Sequence, residues 1–236
     1  MSLIPRITVG VVTHNIFLGL RCDLFIRTVK SIDAAFPGCS KILLDNGSSD
    51  GTDEFILGSR DISRDWQIIC YKPADGVCTP GRGHNELIKH VLKQKPHVVV
   101  FSDDDMEWYP SAGSTLGKFW SAKPSDPVIL CGLLEPEWHW NTPRETIERG
   151  GVKALVRDSC PGSGWTFLAE SWSKIGPVFD GFGYDHKTCI ALGEKGLRVA
   201  QIDLSEHLGW ELSTHNNNAV AAEGNKPVDK KKWGLE

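Results

Sequence analysis

The 236-residue sequence predicts a single α/β domain built on a mixed, mostly parallel sheet flanked by helices. Three observations predict it. Short β-branched runs alternate with segments whose apolar residues recur at helical spacing, the rhythm of strand, helix and parallel strand. Polar clusters fall just where three of those runs end, and ligands of such sheets bind at the carboxyl ends of the strands. The length suits one domain of ordinary size and leaves little room for a second.

Residues Arg6 to Thr13 read as a buried strand that runs into the loop at His14 and Asn15. Apolar residues at 20, 24, 25, 29 and 32 predict a helix from Leu20 to Ala35, stopped by Phe36-Pro37-Gly38. Lys41 to Asp45 is the second strand, followed by a turn-rich segment and by Thr52 as the cap of a short helix with Asp53 and Glu54 in its first turn. Trp66 to Tyr71 is a third strand, Gly83 to Gln94 a helix, and Pro96 to Phe101 a fourth strand leading into Asp103-Asp104-Asp105. The stretch from Trp108 to Arg157 shows mixed strands and loops. Beyond it lie a strand from Trp165 to Ala169, a helix at about 186 to 195 and a strand from Leu197 to Ile202; the tail from 213 to 236 is polar.

Composition narrows the function. Net charge is -4 with scattered Lys and Arg, so the basic footprint of a nucleic-acid partner is missing. No apolar run is long enough for an integral membrane segment, and the short apolar stretch near the N-terminus does not make a signal peptide, so a cytoplasmic location is expected. Seven cysteines, none spaced C-x-x-C, read as buried reduced thiols rather than a disulfide framework or zinc knuckle. Seven of the nine tryptophans fall between 108 and 210 and suit a core or flat faces for sugar rings.

The chemistry concentrates at strand ends. Three adjacent carboxylates repel one another unless a cation sits among them or water bathes them. Strand alternation would turn Asp103 and Asp105 to one side, toward one metal ion and the diphosphate it carries; a solvated acidic loop is the other reading. Asp45 is placed to accept a pyrimidine imino proton or a ribose hydroxyl, although its segment also reads as an ordinary turn. Gly81-Arg82-Gly83 opens a helix; its glycines permit close backbone approach to a ligand and Arg82 can reach a phosphate. Serine-hydrolase, P-loop, zincin and dinucleotide fingerprints are absent.

In order, Val11 to Asn15, Leu44 to Thr52, Gly83 to Asn85 and Val100 to Asp105 resemble the nucleotide-sugar half of glycosyltransferase family 2, the inverting GT-A class. Gly164 to Leu168, Ile175 to Asp180, Gly183 to Asp185, Gly196 to Arg198 and Ser205 to Ser213 continue the likeness. The resemblance implies a GT-A domain over residues 1 to 212, with a nucleotide-binding half (1 to 107) and an acceptor half (108 to 212). It implies a metal-dependent inverting transferase that takes a UDP-, GDP- or dTDP-linked sugar and passes it to a sugar or other acceptor hydroxyl. Asp103 and Asp105 match the D-x-D pair binding Mn2+ or Mg2+, and His207 matches a late histidine that reaches the metal or diphosphate. Thr13, Asn15, Asp45, Arg82, Asn85, Asp103 and Asp104 fall in the donor pocket. Asp185 matches the acidic base, with His186 where the family often has a second acid. Trp138, Trp165 and His186 are placed in the acceptor and sugar pocket. A nucleotidyltransferase or a non-catalytic nucleotide-sugar-binding domain on the same sheet is the alternative.

Overall fold

A computed structural model describes residues 5–18, 21–121, 126–135, 141–181, 183–208 and 231. The chain runs β1 (Ile7–Thr13), α1 (Cys22–Ala35), β2 (Ser40–Asn46), α2 (Thr52–Gly58), α3 (Arg60–Ser63), β3 (Gln67–Tyr71), α4 (Pro80–Lys93), β4 (Val98–Asp103) and β5 (Met106–Trp108). It continues through α5 (Ala112–Ser121), β6 (Ile129–Leu133), β7 (Glu145–Arg149), β8 (Val152–Arg157), β9 (Trp165–Leu168), α6 (Trp172–Ile175), α7 (Tyr184–Glu194) and β10 (Val199–His207).

The strands form one sheet in the order β3-β2-β1-β4-β9-β6-β10-β8-β7, with β5 paired to β10. β3, β2, β1 and β4 are parallel, and β6 and β10 share their direction because β9 lies antiparallel between β4 and β6. All seven residues of β1 are buried, as expected of a central strand covered on both faces. α1 buries Phe25, Val29 and Ile32, and α4 buries Leu87, Ile88 and Val91. α4 seats on β1 at Gly10, where a Cβ would stand 2.7 Å from Leu87 Cδ2.

Several local expectations change. α4 begins at Pro80, three residues before the expected Gly83, with the Thr79 hydroxyl accepting the Arg82 N–H as its cap, so Gly81 and Arg82 already lie within the helix. Its glycines admit other parts of the protein, backbone at Gly81 and side chains at Gly83. A Cβ on Gly81 would lie 2.0 Å from the Phe179 carbonyl, and one on Gly83 2.8 Å from Val12 Cγ1. Thr52 is not the cap of α2; left-handed Gly51 is, while the buried Thr52 hydroxyl accepts the Ile16 N–H and donates to Asp50. The irregular middle of the sequence holds α5, β6 and the β7–β8 hairpin, which turns at Gly150 and Gly151 with φ of +56° and +74°. The cysteines are free, but only Cys131, Cys160 and Cys189 are buried, and Cys70 is exposed. No helix among the described residues is long and apolar enough to cross a membrane.

Candidate active site

β1, β2 and β4 deliver Thr13, Asp45 and Asp103 to one end of the sheet, since Thr13 pairs in register with Asp45 and Val12 with Asp103. β4 stops at Asp103. Asp104 and Asp105 form a turn before β5 runs back antiparallel to β10. The alternation that would aim Asp103 and Asp105 the same way therefore ends two residues short of Asp105, and the three carboxylates take different partners, although Arg21 Nη1, bonded to Asp104, also lies 4.0 Å from Asp105 Oδ2.

Asp104 turns inward. Its carboxylate accepts the Thr13 hydroxyl at 2.6 Å and Arg21 Nη1 at 2.5 Å, and its side chain is 3% exposed. Burial raises its pKa while Arg21 opposes the rise. Arg21, at the start of α1, also donates to the His14 carbonyl at 2.7 Å, which ties helix, strand and turn together. Thr13 and Asp104 are thus buried and bonded to each other beneath the acidic turn.

Asp103 remains the most open of the three, with 32% of its side chain exposed. Its Oδ1 lies 3.2 Å from Nε2 of buried His84, and its Oδ2 accepts the Ser163 hydroxyl. Burial works to raise its pKa, yet the hydrogen bonds and nearness of His84 and Ser163 hold it below the usual carboxylate range. His84 Nε2 also lies 2.8 Å from the Tyr184 hydroxyl, with the two rings 4.8 Å apart. The Gly83-His84-Asn85 motif gave His84 no role; burial beside Asp103 supplies one.

Asp105 faces His207 at the end of β10, with His207 Nε2 3.4 Å from its Oδ2. Burial, reinforced by the charges of Asp104 and Asp103, pushes Asp105 up to about 8. Its Oδ1 is buried and has no hydrogen-bond partner among the described residues. An orphaned carboxylate oxygen beside an imidazole suits a divalent cation such as Mn2+. Among the described residues no three His, Cys, Asp or Glu side chains converge into a metal cluster. Of the expected set of Asp103, Asp105 and His207, the structure puts Asp105 and His207 side by side, while Asp103 is bonded to His84 and Ser163.

Other expected donor contacts are occupied by the protein. Asp45 is fully buried, and Ser48 donates to it through both N–H and hydroxyl. Asn85 closes a two-way clamp on Val178, at 2.9 Å in each direction. Arg82 is taken by Asp75 at 2.6 Å and Asp180 at 2.9 Å. Asn15, at φ +50°, accepts the Ser49 N–H at 2.9 Å and donates its own N–H to Ser48 Oγ at 2.8 Å.

In the C-terminal half, Asp185 sits half-buried in the first turn of α7. Its Oδ2 accepts the Gly162 N–H at 3.1 Å and its Oδ1 the His186 N–H at 2.8 Å. Gly162 and Ser163 are adjacent, so one two-residue segment touches both Asp185 and Asp103. Gly162 is required there because a Cβ would fall 2.0 Å from the Tyr184 hydroxyl. His186 is exposed, its Nδ1 3.2 Å from Ser159 Oγ. Trp165 is 0% exposed and packs 6.1 Å from the Tyr184 ring, so it is core and offers no face to a sugar. Trp138 lies outside the described residues.

Among solved structures, the chain is similar to GalNAc-T7 with UDP, GalNAc and Mn2+, at a TM-score of 0.60 and 13% identity, covering 87% of this chain and 45% of that one. The chain has the GT-A fold. It is also similar to the mannosyltransferase PcManGT from Pyrobaculum calidifontis in complex with GDP-Man and Mn2+, at 0.57 and 18% identity, covering 84% of this chain and 57% of that one. The S. aureus protein TarS, residues 1–349, matches at 0.59 and 12% identity over 86% of this chain and 60% of that one. This chain thus spans about half the length of these GT-A structures. No family model and no curated protein matches the sequence.

Proposed function

We propose that the protein is a divalent-metal-dependent, inverting glycosyltransferase that moves a sugar from a nucleotide-sugar donor to an acceptor hydroxyl. The observation that carries this reading is the Gly162–Ser163 segment, which holds Asp103 of the acidic turn and Asp185 of α7 at two ends of one short backbone stretch. Two carboxylates from distant parts of the chain are thereby anchored on adjacent residues, which supports a donor-side role for Asp103 and an acceptor-side role for Asp185. The GT-A fold, shared with structures bound to UDP or GDP-Man and Mn2+, supports the same reading.

Asp105 and His207 would hold the cation, Mn2+ or Mg2+. When bound, it neutralises charge that builds on a departing diphosphate. Asp103, kept ionised by His84 and Ser163, faces the same cleft and can take a hydrogen bond from a donor hydroxyl. Asp185 removes the proton from the acceptor hydroxyl as that oxygen attacks the anomeric carbon, and a single displacement inverts the configuration. Its two backbone N–H bonds fix the direction of the carboxylate before an acceptor arrives.

The test is release of nucleoside diphosphate from a panel of UDP-, GDP- and dTDP-sugars with Mn2+, Mg2+ or EDTA, with the product's anomeric configuration read by NMR. Metal-dependent release from one nucleotide class and an inverted product are expected. A retained configuration would remove the single-displacement step; no release from any donor would remove the transferase reading.

A further inference from the structure

Beyond the acidic turn, the other half of the sheet buries a second polar network around Glu135, just past the end of β6. Gln201 on β10 holds this residue with both ends of its amide: it accepts the Glu135 N–H at 3.3 Å and donates to Glu135 Oε2 at 3.1 Å. Arg157 on β8 donates to the Glu135 carbonyl at 2.9 Å and to the Asn141 carbonyl at 3.0 Å. Asn141 and Ser159 exchange bonds of 3.1 and 3.2 Å, and the Ser159 hydroxyl lies against His186, the neighbour of Asp185.

Arg157, Asn141, Gln201 and Ser159 are all buried. Burying four polar side chains costs desolvation that only well-formed partnerships offset. What these partnerships fix is one residue, Glu135, by its backbone N–H, its carbonyl and one carboxylate oxygen. Glu135 Oε2 is held by Gln201, whereas Oε1 accepts no hydrogen bond from any described residue.

We infer that Glu135 is a second acceptor-side carboxyl, whose Oε1 accepts a hydrogen bond from one hydroxyl of the acceptor while another is presented to Asp185. The inference rests on the transferase reading and narrows the acceptor to a neutral, polyhydroxylated compound, because an anionic one would meet two carboxylates. Burial raises Glu135 to about 7; Gln201 and Arg157 oppose the rise and the Asp185 charge adds to it. Gln201 from β10 contacts the Glu135 carboxylate, Arg157 from β8 holds its carbonyl, and the charge of Asp185 on α7 acts on it through space. Acceptor binding should strengthen as pH rises through neutrality, since the ionised carboxyl is the better hydrogen-bond acceptor.

The test uses the full chain with Mn2+, the donor that wild type turns over, and a panel of methyl glycosides as neutral polyhydroxylated probes, between pH 5.5 and 8.5. In Glu135→Gln the amide oxygen keeps the bond from Gln201, and its NH2 puts a donor where Oε1 was an acceptor. The acceptor KM should rise about 10-fold, the donor KM should stay the same, and the limb near pH 7 in kcat/KM for acceptor should vanish. Glu135→Asp keeps the charge but withdraws it by one methylene, so the limb should persist with a raised KM. Should Glu135→Gln fail to fold, an unchanged acceptor KM in Glu135→Asp overturns the inference. So do an unchanged KM and limb in Glu135→Gln, or no glycoside accelerating release by an active wild type. A wild type that releases nothing from any donor instead overturns the transferase reading on which the inference rests.

Discussion

His207 Nε2 stands 3.4 Å from Asp105 Oδ2, joining the last residue of β10 to the turn that follows β4. The contact depends on β5, whose Met106 pairs in register with His207 and carries the acidic turn up to the histidine. A hard oxygen and an imidazole nitrogen are thereby set side by side at the open end of the sheet.

If this pair holds the cation, removing either partner should weaken metal-dependent donor binding. Loss of a group that merely orients a metal ligand costs about 10- to 100-fold, so Asp105→Asn and His207→Ala should each cost at least about 10-fold. Calorimetry of UDP and GDP binding, with Mn2+ and with EDTA, measures this. Wild-type affinity in both variants would remove the assignment.

Asp105 also sets a pH dependence of stability without metal. Its folded value of about 8 lies above the ordinary 3.8, so its contribution is fully present below 3.8 and is lost as pH rises through about 8. Asp105→Asn cannot ionise. Its melting temperature in EDTA should gain on wild type from pH 4 to pH 8 and then level off; a difference that does not vary with pH would contradict the raised value.

Arg21 is the counter-charge to a carboxylate whose side chain is 3% exposed. Removing one partner of a buried pair leaves the other charge unmatched, at a cost of about 3 kcal/mol or more, so Arg21→Met should lose about that much in urea unfolding. Adding Asp104→Asn removes the stranded charge and should recover most of the loss. Equal stability of the single and double variants would mean that Asp104 is not held by Arg21.

Asp185→Asn keeps the shape of the side chain but cannot take a proton, so transfer should fall by roughly 10²- to 10⁴-fold with donor and metal affinity unchanged. His186→Ala, at the exposed neighbour, should retain most activity. A dead His186→Ala beside an active Asp185→Asn would move the base by one residue.

Much of the nucleotide-side architecture was legible because it is local. Alternating β-branched runs, helical spacing in α1 and α4 and polar residues after β1, β2 and β4 all lie within single elements, and their positions match the structure to within a few residues. The middle was not legible, although Gly150-Gly151 between two short runs is a hairpin signal that the sequence does carry. Glu135 offered no signal of its own; its setting comes from Gln201, 66 residues away.

By itself the sequence determined which residue types stand at strand ends, because strand ends follow from periodicity and turn chemistry. Which of those residues face the cleft was decided only by tertiary structure. Asp45, Thr13, Asp104, Asn85 and Arg82 look as functional in the sequence as Asp103, Asp105 and Asp185, and the structure gives every one of them a partner within the protein: Ser48, Asp104, Arg21, Val178 and the pair Asp75 and Asp180 for the first five, and His84 with Ser163, His207 and Gly162 for the other three. The reason is physical. A buried polar group must find a hydrogen bond, and the partner that satisfies it in the first five lies from 3 to 98 residues away, so its freedom to meet a ligand depends on contacts that no local pattern encodes.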